Sequence, residues 1–88
     1  MIPGVWSHWQ FPLDKSAQTV FEKVQNHLLG VRYTPWAVAT QVVNGMNYAF
    51  VCGAQAVAPD TSKSVVLLEA YVPPGGEPHV PRITRINP

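Results

Sequence analysis

The apolar positions of this chain change period once, from helical to alternating. Between Lys15 and Leu29, Val20, Phe21, Val24 and Leu28 fall on one side of a helix, while Lys15, Gln18, Glu22 and Gln25 fall largely on the other. Asp14, after Pro12 and Leu13, suits an N-cap, and Gly30 offers a left-handed stop. The spacing predicts a helix over 15–29. From Val31 to Val43 the period becomes two: Val38, Thr40 and Val42 share one face, and Ala37, Ala39, Gln41 and Val43 share the other. Pro35 cannot donate to a ladder, so this strand should begin at an edge or a bulge. Met46 to Ala58 predicts a partner strand with Tyr48, Phe50, Cys52 and Ala54 on one face. Ser64 to Val72 predicts a third, with Val66, Leu68 and Ala70 together. Val80 to Ile86 is a last strand, and Pro81, Arg82 and Arg85 suit it to an exposed edge.

Turn chemistry separates these runs. Asn44-Gly45 predicts a two-residue hairpin turn, which needs positive φ at both central positions. Pro59-Asp60-Thr61-Ser62 reads as a turn, and Pro73-Pro74-Gly75-Gly76-Glu77-Pro78 as a loop. One helix and an antiparallel meander make an α+β domain, a four- to five-stranded antiparallel sheet wrapped around one long helix. The 88 residues fill one domain, 1–88, with a single core. Residues 1–12 hold Trp6, Trp9 and Phe11 and are too short and too proline-bounded for a helix. They predict an extended arm or a first strand. Either its aromatics lie on the body, or Met1 to Gly4 projects as a free trunk.

Composition narrows the function. At 47% hydrophobic and 12% charged, the chain has enough apolar surface to fold. A net charge of +1 from scattered single charges argues against nucleic acid and membrane as partners. No apolar run nears the roughly 20 residues that span a bilayer. A lone cysteine, Cys52, and a start without a charged, apolar leader point to a reducing compartment, the cytoplasm. Cys52 shares its face with Tyr48 and Phe50, so a buried, inert thiol is expected. His8, His27 and His79 lack metal-ligand spacing; the acids form no paired pattern, and Gly75-Gly76 opens no helix. No enzyme activity, cofactor or metal is expected.

Gln41-Val42-Val43-Asn44-Gly45 resembles the Gln-Val-Val-Ala-Gly first binding loop of the cystatins, inhibitors of papain-like cysteine proteases. Gly45-Met46-Asn47-Tyr48 resembles the Gly-Thr-Asn-Tyr that follows it in the stefin branch, and Met1-Ile2-Pro3-Gly4 is similar to a stefin start. Asn44 stands where the family carries Ala, and Pro73, Pro74 and Gly75 lie where stefins carry a Leu-Pro loop. The resemblance implies a cystatin-like fold and reversible, non-covalent inhibition, with the arm and two hairpin loops laid across the protease cleft. The implied contacts are Gly4, Gln41, Val42, Val43, Asn44, Gly45, Pro73, Pro74 and Gly75. In a meander, alternate turns fall at one end of the sheet, so the hairpin tip and the Pro73–Gly75 loop should gather there, and the resemblance implies that the Gly4 arm joins them. On this reading Gly45→Arg should abolish docking without unfolding the domain.

A second reading stays open. Val-Val is ordinary strand sequence and Asn-Gly an ordinary turn, so the fold could serve a non-inhibitory interaction module that uses the aromatic arm. A monomer is expected, with a strand-exchanged, domain-swapped dimer as the alternative at open sheet edges.

Overall fold

A computed structural model describes residues 4–58 and 62–86; Met1 to Pro3 of the predicted trunk and Pro59 to Thr61 of the predicted turn lie outside them. Among the described residues the chain forms one helix, α1 (Lys15–Gln25), and four strands, β1 (Val31–Val43), β2 (Gly45–Ala56), β3 (Ser64–Val72) and β4 (His79–Arg85).

Asp14 caps α1 as its chemistry predicts. Its backbone is extended, and its carboxylate accepts the Ala17 N–H at 2.9 Å. The helix ends at Gln25, four residues before the predicted Leu29. Beyond Gln25 the chain tightens: the N–H groups of His27 and Leu28 donate to the carbonyls of Val24 and Gln25 at 3.0 and 3.1 Å. These are bonds to the third residue back, the way a helix closes its last turn. Asn26 and His27 are weak helix formers and do not resist that tightening. Gly30 is left-handed, at φ +83°, but it acts outside the helix, leading the chain into β1.

The strands pair in the order β1-β2-β3-β4, all antiparallel. The alternation in the sequence decides which face α1 covers. Val38, Tyr48, Phe50, Cys52, Ala54, Val66, Leu68 and Ala70 form the core with Leu13, Ala17, Phe21 and Val24. Phe50 is its centre: Phe21 meets it edge-on with ring centroids 5.1 Å apart, and Tyr48 stacks on it at 5.9 Å. β4 pairs with β3 alone and is exposed along nearly all its length, as its proline and arginines predict.

Pro35 does mark a bulge. The register of β1 on β2 shifts between Pro35 and Ala37, which leaves Trp36 as an extra residue. The indole of Trp36 lies over Gly53, where an added Cβ would come within 2.8 Å of it. Cys52 is fully buried, and burial pushes its thiol up to about 12.

Truncating Phe50 to Ala should cost about 3–5 kcal/mol in urea unfolding, whereas Phe11→Ala, at a site 75% exposed, should change stability by about 0.5 kcal/mol or less. Equal effects would contradict the core as described. The thiol gives a pH signature. Its pKa is 9.0 when unperturbed and about 12 when folded, so above pH 9 the unfolded chain releases a proton that the folded chain keeps. Stability should therefore fall between pH 9 and 10 by up to about 1.4 kcal/mol, and Cys52→Ala should flatten the fall.

Candidate binding rim

The β1–β2 hairpin is built by its faces more than by its turn. A two-residue turn at Asn44-Gly45 would set Val43 opposite Met46. Instead Val42 faces Met46, Val43 faces Gly45, and Asn44 stands alone at the tip. The reason is the core. Val38 opposite Phe50, Thr40 opposite Tyr48 and Val42 opposite Met46 keep one set of side chains toward α1. A slip of one residue would oppose Val42 to Asn47 and mix the two faces. Gly45 accommodates the corner at φ +105°.

The second segment follows from the next pairing. Met46 faces Val72, so the loop after β3 begins beside the tip. The approach is close: a Cβ on Gly45 would collide with the Val72 carbonyl oxygen and come within 3.1 Å of the Pro73 Cα. The Tyr71 hydroxyl donates to the Asn44 carbonyl oxygen and ties the tip to β3. Pro73 to Gly76 then form a tight turn closed by the Gly76 N–H on the Pro73 carbonyl at 3.0 Å. Pro74 and Gly75 are its central residues. Gly75 has φ +66°, the conformation a type II turn requires at its third position.

The arm is the third segment. It is neither a full fifth strand nor, from Gly4 onward, a free trunk. It runs antiparallel along β1, with isolated bridges Trp6–Gln41 and Gln10–Val38. The Ser7 N–H donates to the Thr40 carbonyl at 2.8 Å, and the Ser7 Oγ accepts the Thr40 N–H at 2.9 Å. At its start the Gly4 N–H donates to the Val42 carbonyl at 2.7 Å.

Gly4, Val42 to Gly45 and Pro73 are therefore brought together at one end of the sheet, with Pro74 and Gly75 on the turn that leaves it. None of these residues is charged. The nearest charge in sequence, Glu77, pairs with Lys23 at 3.6 Å, both well exposed. Gly4, Val43, Asn44, Pro74 and Gly75 are exposed, whereas Gln41, Val42, Gly45 and Pro73 are half-buried. Gly45 thus holds two loops together from the inside, and Gly45→Arg would disturb the fold, contrary to the sequence-based expectation. Asn47 and Tyr71 went unnoticed as rim residues. Asn47 is part of the stefin-like extension of the loop, but its contact with Gln41, like that of Tyr71 with the tip, is signalled only by register, which sets Asn47 opposite Gln41 and opposite Tyr71.

The sheet face away from α1 has a different character. Trp6, Trp9 and Trp36 are each about half exposed there. Trp6 and Trp9, with Ser7, Ala39, Ala49, Leu67 and Glu69, line an open cavity of about 280 Å³. The Glu69 carboxylate meets the Arg82 guanidinium at 3.6 Å. Among the described residues no three His, Cys, Asp or Glu side chains gather as a metal set, and no helix is long and apolar enough to cross a membrane. Comparison with protein-family models, curated proteins and solved structures finds no match.

Replacing Gly45 by Ala should cost about 2–4 kcal/mol, combining left-handed strain with a backbone collision. Gly4→Ala meets no atom within 4 Å and should cost only about 1–2 kcal/mol of backbone strain. Chemical unfolding of both variants checks this; equal losses would mean that the two loops do not touch.

Proposed function

We propose that this protein is a reversible, non-covalent inhibitor of papain-like cysteine proteases with a cystatin-like fold. The observation that carries the reading is the convergence of Gly4, the Val42–Gly45 tip and the Pro73–Gly75 turn at one end of the sheet. The resemblance of Gln41 to Gly45, and of Asn47-Tyr48, to the stefin first loop supplies the class of partner. Val43, Asn44, Pro74 and Gly75 form a blunt, uncharged edge that loses little hydration when it enters a groove. Hydrogen bonds already hold the tip, the turn and the start of the arm, so little conformational entropy remains to be lost on docking. Gly4 is left-handed and has open space where a side chain would be, which lets a protease backbone approach closely. The complex would bury roughly 1,600 Å², the size usual for protease inhibitors. Inhibition is by occupancy, with no bond offered for cleavage. A lone buried thiol suits a reducing, cytoplasmic setting.

The half-exposed Trp6, Trp9 and Trp36 favour a second reading, an interaction module that uses the outer face of the sheet. The two readings separate in one series. Under the first, added protein abolishes papain hydrolysis of a peptide substrate, and dilution restores it. Val43→Arg, at a site 39% exposed, should weaken inhibition about 10-fold or more with an unchanged melting temperature. The pair Trp6→Ala, Trp9→Ala should leave inhibition within a few-fold. No inhibition by micromolar parent protein rejects the first reading.

A further inference from the structure

Gln41 sits where the arm, the tip and β2 meet. On β1 it lies opposite Trp6 of the arm on one side and Asn47 of β2 on the other. Its side-chain amide is engaged at both ends. The Nε2 donates to the Gly4 carbonyl oxygen at 3.0 Å, and the Oε1 accepts from the Asn47 Nδ2 at 2.8 Å. The direction of this relay is fixed by chemistry. The Gly4 carbonyl can only accept, so the Gln41 nitrogen must face it; that leaves the oxygen for Asn47, which must present its own nitrogen. One arrangement of both amides satisfies every partner.

We propose that Gln41 is a positioning residue of the rim, which sets the place of Gly4 relative to the tip and acts on a partner through Gly4. This rests on the inhibitor reading for what the rim does, but not for how the rim is assembled. Gln41 then differs in kind from Val43 and Asn44, whose side chains stand exposed at the tip. Gln41 is half-buried, and both ends of its amide are already engaged within the chain, one by the Gly4 carbonyl and one by Asn47.

The discriminating variant is Gln41→Glu, which keeps an acceptor for Asn47 and loses the donor to Gly4. Exchange of the Gly4 amide, measured by NMR in the free protein, should rise roughly 2- to 12-fold, the range expected for one hydrogen bond. The Phe50 and Leu68 amides should stay unchanged. Gln41→Met, which removes both bonds at similar length, should show the same loss at Gly4 and guards against an effect of the new charge. The second arm is a double-mutant cycle with Gly4→Pro, which removes the Gly4 N–H and cannot adopt φ +79°. Gln41→Glu should shorten the lifetime of the papain complex in the parent chain and add nothing in the Gly4→Pro chain. Unchanged Gly4 exchange in both variants overturns the proposal. So does a Gln41→Glu effect that persists in full beside Gly4→Pro, since that would make Gln41 a direct contact. If papain does not bind the parent, the inhibitor reading fails, and the Gly4 exchange alone decides this one.

Discussion

The alternation of side chains along β1 and β2 is the constraint from which the rest of the molecule follows. Phe50 has to face Phe21, and Val38, Tyr48, Cys52 and Leu68 have to close around it. That requirement leaves one register for the hairpin, because a shift of a single residue would expose an entire face of the core. The register in turn makes Asn44 the tip, places Gly45 against Val72, and sets Gln41 beside Asn47. The rim is thus a by-product of core packing. Its precision comes from the rigid sheet beneath it and not from the loops themselves.

The arm answers a second constraint. β1 is an edge strand of the four-stranded sheet, and among the described residues α1 covers only one face of it. An open edge beside an apolar face invites pairing with other chains. Residues 4–10 run along part of that edge, where Trp6 and Trp9 line an open cavity with Ala39 and Ala49. Trp36, the extra residue at the bulge, lies against Gly53. Large rings beside small residues fill the space that a methyl group or a hydrogen leaves on that face. Because the arm is anchored this way, Gly4 reaches the rim beside Val42. The aromatic segment and the rim are mechanically connected, although their chemistry differs.

Much of this architecture could be read from local pattern. The Asp14 cap, the bulge at Pro35, the bounds of β1 and β3 and the exposed edge β4 each follow from a few neighbouring residues. The misses arise where a distant contact outweighs a local preference. Asn44-Gly45 signals a two-residue turn, but core registry outweighs it. Gly30 signals a helix stop, yet the helix closes earlier at the weak formers Asn26 and His27. Gly45 resembles an exposed tip residue, and only the neighbouring strand shows that it is hemmed in by Val72 and Pro73. Tyr71 carries no local mark, and Asn47 is marked only by the family resemblance; their hydrogen bonds to Asn44 and Gln41 exist because two pairings place them there. The gathering of the tip and the Pro73–Gly75 turn was legible from meander topology, and that of Gly4 only from the family resemblance, because the docking of the arm on β1 depends on backbone bonds that no periodicity encodes.

The proposed inhibition requires that one surface, the uncharged end of the sheet, be what a protease groove receives. NMR of the isotope-labelled protein with unlabelled, inactivated papain tests it most directly. Resonance changes should concentrate at the amides of Gly4, Val42, Val43, Asn44, Gly75 and Gly76, leaving Trp36, Val51 and Leu67 on the outer face undisturbed. Changes centred on the Trp6, Trp9 and Trp36 face, or no changes at saturating papain, would contradict it.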